Sequence, residues 1–338
     1  MSELAYSQLG VPAGPPSAGA SLARPVRDDA APEPEIAYLV LAHTDPAQLA
    51  RLCNALDDHA DVYVHVDAKC DLRPFVEQPL PRCVHFIDGR VRVSWAGYSQ
   101  VEATLRMLRA AFDSGRPYRR FVMLSGLDYP IKSTAALREL FAQRPQHEFI
   151  RFIDASKPAH FRIFHEHYWF MEEIPWLPSG WLQTKMRRGF GRLLRQVTKK
   201  QRPPGMIPAW GSAYWALTRE CCEHVLRFAQ ERPEVVRWMK SSFAPDEQFF
   251  HTIVANSDFL PRCDGFVPYQ APSVHLLSNL HLIPPGLRKV HTDSDFDELR
   301  ASSRYFVRKV TSAASKGLLD RLDREVLHLQ ERQPVLAA

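Results

Sequence analysis

The sequence predicts an α/β protein with a mostly parallel central sheet flanked by helices. Three observations carry this: the unbroken apolar run IAYLVLAH at residues 36–43, further runs alternating with amphipathic stretches to about residue 155, and strand-to-helix signals between them. A strand apolar at every position suits a sheet covered on both faces, whereas a half-exposed strand alternates. With 338 residues and 45% hydrophobic content, the chain can bury a large core.

The elements follow in order. Residues 1–34 are rich in Pro, Ala, Gly and Ser, which cannot offset the entropy of ordering, so a disordered tail is expected. Past residue 43, Asp45-Pro46 opens a helix to about residue 56. DVYVHVDAK (61–69) and residues 83–87 are the next strands. Ser99 and Glu102 make an S-x-x-E capping box, and Val101, Leu105, Leu108 and Phe112 follow at helical spacing, predicting a helix over 99–114. YRRFVMLS (118–125) is a buried strand, 134–143 a helix and HEFIRFI (147–153) a strand. Beyond residue 154 the chain turns aromatic, with Phe161, Phe164, Tyr168, Trp169, Phe170, Trp176 and Trp181 expected as a sugar-stacking surface. GSAYWALT (211–218) reads as one strand, followed by a helix after Arg219 and another from about Pro245.

The net charge of +5 favours anionic partners, but the cations are not interleaved with any nucleic-acid module, so no nucleic-acid partner is expected. Six cysteines without a CxxC pair point to reduced thiols rather than a zinc site. No window approaches the length of a membrane span, and a cytoplasmic location is expected. Between Ile174 and Arg219 there is no acidic residue, while Lys185, Arg187, Arg188, Arg192, Arg195, Lys199, Lys200 and Arg202 accumulate. With Met186, Phe190, Leu193, Leu194 and Val197 at helical spacing, residues 185–202 suit peripheral contact with an anionic membrane; a solvated face or acceptor-site loop is the competing reading.

Seven segments, AYLVLAH (37–43), VYVHVDAK (62–69), VSWAGYSQVEATL (93–105), FVMLSGLDYPIKS (121–133), WGSAYWALTRE (210–220), APDEQFFHTIVANS (244–257) and YFVRKV (305–310), carry a resemblance. Together they are similar to the core-2/I-branching β-1,6-N-acetylglucosaminyltransferase and peptide O-xylosyltransferase family, glycosyltransferase family 14. The resemblance implies a GT-A type Rossmann-like fold over 35–310, with a nucleotide-binding half at 35–155, an acceptor and catalytic half at 156–310, and a C-terminal helical segment at 311–338. It implies inverting transfer of N-acetylglucosamine or xylose from a UDP-sugar to a hydroxyl of a glycan or other acceptor. Without a membrane anchor, it suggests a bacterial-type enzyme of polysaccharide biosynthesis.

Inversion by direct displacement needs one base for the attacking hydroxyl and a counter-charge for the departing diphosphate. The family's base falls on Glu247; on position alone, Asp246 and Glu247 would only complement a helix start. At the strand end where many GT-A proteins hold a metal through two aspartates, this chain has Asp128 alone, a poor divalent site, so no metal cofactor is expected. The family's cations in place of the metal imply Lys309 and, beside it, Arg308. A second basic group falls in SNLHLIPPGLRKV, where Arg288, Lys289 and His281 compete. Asp67, by its place at a strand end, and with it His43, Trp95, Asp128, Gly211 and Ser212, are assigned to the nucleotide sugar. Arg162, Glu166, Trp210 and Asp246 are assigned to the acceptor. A non-catalytic carbohydrate- or membrane-surface-binding protein of the same fold is the alternative.

Overall fold

The central strand is β1 (Ile36–Ala42), and its unbroken apolar run is explained by two cores. Ile36, Tyr38, Val40 and Ala42 point into one hydrophobic cluster, while Ala37 and Leu39 point into another on the opposite face. The computed structural model describes residues 35–56, 59–173, 181–269, 277–286 and 288–329, all within one compact unit. The tail expected at 1–34, together with Trp176 and residues 330–338, lies outside the described residues.

Strands β2 (Ala60–Val66), β3 (Val84–Phe86) and β4 (Arg120–Ser125) run parallel to β1. The remaining strands are β5 (Asp128–Pro130), β6 (Phe152–Asp154), β7 (Ala209–Gly211), β8 (Ala216–Thr218), β9 (His281–Leu282) and β10 (Phe306–Arg308). The main sheet has the order β3-β2-β1-β4-β8, with β8 antiparallel at its edge. The chain builds outward from β1 on one side and then crosses to β4 on the other. The carboxyl ends of β1 and β4 are therefore a topological switch point, where such sheets form a crevice. Two small sheets, β5-β10-β9 and β6-β7, complete the strands among the described residues.

The helices are α1 (Pro46–Ala55), α2 (Arg73–Val76), α3 (Ser99–Asp113), α4 (Thr134–Gln143), α5 (Ala159–Glu166), α6 (Trp181–Val197), α7 (Arg219–Glu231), α8 (Pro233–Lys240), α9 (Phe249–Ala255), α10 (Phe296–Ala301) and α11 (Lys316–Glu325). Leucines and phenylalanines of α1, α4, α10 and α11 fill one core, and α3, α7, α8 and α9 fill the other. The result is a helix–sheet–helix sandwich.

Four local expectations are corrected. The capping box at α3 does not form: Ser99 Oγ accepts from Ser94 N at 2.8 Å, Glu102 pairs with Arg106, and the Ser99 amide donates to Glu172 at 2.7 Å. Residues 211–218 are not one strand, because the chain leaves β7 in one sheet and enters β8 in another, and 213–215 between them line the crevice. Of the strand expected over 147–153, only its end enters β6, because Phe149 makes just a single bridge to Ala216. In the aromatic stretch after residue 154, Phe161 and Phe164 are engaged in packing rather than presented as a stacking surface. Phe161 is buried, and Phe164 lies 5.3 Å from Trp210 and 4.9 Å from Phe243, ring centre to ring centre.

Candidate functional site

The switch point holds a cavity of about 300 Å³, floored by the ends of β1 and β4 and walled by Tyr214 and Trp215. That is the low end of the size range of small-molecule sites. His43, Asp67, Trp95, Asp246 and Arg308 line it, so five of the predicted residues converge from five separated segments. Ser125 and Lys69, which the sequence analysis left unassigned, line it as well. Ser125 sits at a strand end in FVMLSGLDYP, and the strand-end rule that selected Asp67 also points to it.

Asp67 both lines the cavity and shapes it. Its Oδ1 accepts from the amides of Lys69 at 2.9 Å and Val93 at 3.1 Å, tying the end of β2 to the strand-like segment before Trp95. Trp95 stands 76% exposed at the cavity, its ring edge-on to Phe243 at 5.8 Å. Beside it Ala96, with φ 56°, accepts at 3.0 Å from the amide of Ala244, with φ 45°. Left-handed backbone at a non-glycine residue costs on the order of 1–3 kcal/mol and is retained where surrounding structure fixes it, often at functional sites. The two turns that present Trp95 and the Asp246–Glu247 pair are thus clamped to each other.

Arg308 is placed by register. β10 pairs antiparallel with β5 so that Arg308 stands opposite Asp128, and the guanidinium reaches Asp128 Oδ1 at 2.9 Å. It also contacts Ser125 Oγ and lies 5.0 Å from the Tyr214 ring centre. Asp128, expected on the donor side, is instead fully buried behind Arg308. Its two oxygens accept from Arg308, His281 Nε2, Ser125 N and Ser125 Oγ, leaving little capacity for a metal. Burial alone would raise its pKa, but Arg308 and His281 outweigh that and hold it below the usual carboxylate range.

Of the competing second cations, His281 is buried in this network, stacked on Phe306 at 5.1 Å, and Lys289 is paired with Asp295 at 2.5 Å. Arg288 is exposed and, like these two, is not on the cavity wall. Lys309 is half-buried and makes no ion pair among the described residues. Its charge, with those of Arg308 and Lys69, adds to partial burial in holding His43 below its ordinary pKa.

Asp246 and Glu247 sit on a 3₁₀ turn, Pro245–Glu247, rather than at the start of α9. Burial raises both carboxyls: Asp246 is pushed up to about 6, and Glu247 is raised by burial and by Asp246, with the Trp210 indole acting the other way. Such a carboxylate pair is stored basicity. Trp210 is buried and packs on Phe161 at 5.1 Å, so it supports the turn rather than presenting a free face. Gly211 is required by contact: a Cβ there would lie 2.2 Å from Arg151 O and 2.4 Å from the His251 ring. Ser212 is buried and accepts from Tyr214 N at 3.3 Å, turning the chain towards the cavity. Arg162 and Glu166 are not on this cavity; they line a second one beside α5.

The mostly parallel, helix-covered sheet with a crevice at its switch point is consistent with a GT-A type glycosyltransferase fold. The chain belongs to the Core-2/I-Branching enzyme family, whose model matches residues 36–263. It is 25% identical over 251 residues to the "Beta-1,3-galactosyl-O-glycosyl-glycoprotein beta-1,6-N-acetylglucosaminyltransferase 3" of Ovis aries, covering 71% of this chain and 50% of that protein. The Homo sapiens protein of the same name is 27% identical over 229 residues, covering 64% of this chain and 47% of its own length. The "N-acetyllactosaminide beta-1,6-N-acetylglucosaminyl-transferase" of Mus musculus is 25% identical over 265 residues, covering 73% and 58%. The chain thus spans about half the length of the first two relatives.

Proposed function

We propose that this chain is an inverting, metal-independent glycosyltransferase that moves N-acetylglucosamine from UDP-N-acetylglucosamine to a hydroxyl of a glycan acceptor, with Glu247 as general base. The observation that carries the reading is one cavity lined by both Arg308 and Asp246, with Lys309 and Glu247 next to them in the chain but not on its wall, and with both carboxyls of the acidic pair raised. The relatives' names favour N-acetylglucosamine over xylose. Glu247 takes the proton from the acceptor oxygen as that oxygen bonds to the anomeric carbon. The electron pair of the breaking bond leaves with UDP, and the cations stabilise its growing charge. Asp128, engaged on both oxygens, fixes Arg308 in place.

Lys309→Ala tests this without the damage Arg308→Ala would do, since removing Arg308 strips a buried carboxylate of its partner, at about 3–5 kcal/mol. The lysine variant is expected to raise the donor KM and lower kcat together in steady-state assays. A thermal-shift comparison should show UDP-N-acetylglucosamine stabilising the wild type by about 2.7 kcal/mol at a hundredfold excess over Kd. If no UDP-sugar raises the melting temperature, the donor reading fails.

A specific observation also favours membrane contact. On α6, Met186, Phe190 and Leu193 share a face and are 47%, 54% and 57% exposed, with Lys185 and Arg192 exposed alongside. An exposed apolar stripe among cations suits an anionic lipid surface. Co-sedimentation with phosphatidylglycerol vesicles is expected and should weaken in F190S/L193S; equal binding by this variant would contradict it.

A further inference from the structure

The second cavity, about 390 Å³, joins α5 to the chain just beyond α6. Arg162, His165 and Glu166 come from α5, and Lys199, Lys200 and Arg202 from the following segment, tied together by the bond from Lys200 N to Glu166 O at 2.7 Å. Four cations therefore converge on one acid. None of the four makes an ion pair among the described residues.

Lys200 is the unusual member. It is 8% exposed, and its ammonium donates to Trp238 O at 2.7 Å and Ser242 Oγ at 2.8 Å, both neutral acceptors. Burial without a counter-charge pulls its pKa down to about 7. Next to it, buried His165 has an unpartnered Nδ1, and burial together with Lys200, Arg202 and Arg162 holds the ring neutral, with a pKa of about 4. Concentrated like charge around a desolvated ammonium is unfavourable until an anion enters.

We propose that this cavity binds one anionic group, a sulfate, phosphate or carboxylate borne by the acceptor, and so selects acidic acceptors. α5 links the cavity to the donor side: Phe164 accepts from Phe243 N at 3.0 Å and stacks near its ring, which in turn meets Trp95 at the first cavity. The inference rests on the transferase reading for the acceptor's part in it, whereas anion binding stands without it.

Sulfate is the probe for the anion, since it does not titrate near neutrality. Isothermal titration of the full chain with sodium sulfate, at ionic strength held with chloride, is expected to show saturable binding. K199Q/R202Q changes two exposed side chains, so the fold should persist. It should weaken sulfate binding about tenfold or more, the scale of charge-assisted hydrogen bonds, while Lys309→Ala leaves it unchanged. Absence of saturable binding, or binding lost in Lys309→Ala and kept in the double variant, would overturn the site. In transfer assays the kcat/KM ratio of a sulfated to a neutral acceptor should exceed one and fall towards one in the double variant. An unchanged ratio alongside lost sulfate binding would overturn the acceptor assignment, and a chain that transfers no sugar at all would still be judged by the sulfate arm.

Discussion

Glu247→Gln is expected to lower kcat by at least about 10²-fold while donor binding stays near wild type, because glutamine keeps the shape and loses the basicity. Asp246→Asn is the comparison, since Asp246 is the member of the pair that lines the cavity. It should retain more turnover than Glu247→Gln; if the asparagine variant is the dead one, the roles are reversed. In the wild type, turnover should fall on acidification at a pH above the ordinary carboxylate range, because burial and the neighbouring Asp246 raise the pKa of Glu247.

The same burial sets a stability effect. A carboxyl whose pKa is raised in the fold contributes stability that is fully present below its unfolded value, and loses that contribution as pH rises through the folded value. Above about pH 6 a charged Asp246 therefore weakens the fold, and Asp246→Asn should melt higher than wild type at pH 7. Helix-start acids would behave in the opposite sense. The difference arises because the pair sits on a half-buried 3₁₀ turn instead of a solvated first helical turn.

Gly211→Ala is expected to destabilise the fold by about 3 kcal/mol or more, at the upper end of overpacking costs. Its Cβ would meet a backbone carbonyl at 2.2 Å and the ring of fully buried His251, neither of which can move aside cheaply. Gly126→Ala is the mild reference, since a Cβ there would sit 3.3 Å from Ala42 Cβ. Urea unfolding of the two variants separates these cases; equal midpoints would mean that β7 does not pack as described.

The main sheet was legible in the sequence because its strands are buried on both faces, and a residue such as Val40 or Val64 announces this by its neighbours alone. α4 was legible for a local reason too: Ser133 caps it by accepting from Ala136 N, a bond made within one turn. What stayed hidden depends on distant partners. Glu172 takes the role expected of Glu102 from 73 residues away, and nothing near Ser99 signals it. Arg308 and Asp128 were both visible as candidates, yet their pairing comes from β10 lying against β5, 180 residues apart. Likewise, Arg162 and Glu166 were placed with the acceptor by position, but only the packing of α5 against the chain beyond α6 shows the basic cavity they share.

The most direct test of metal-free sugar transfer is acceptor-dependent release of UDP from UDP-N-acetylglucosamine by the full chain, with a glycan acceptor present, in excess EDTA. The account predicts turnover equal to that in Mn²⁺-containing buffer, abolished in Glu247→Gln. Turnover that vanishes in EDTA and returns with Mn²⁺ would contradict it.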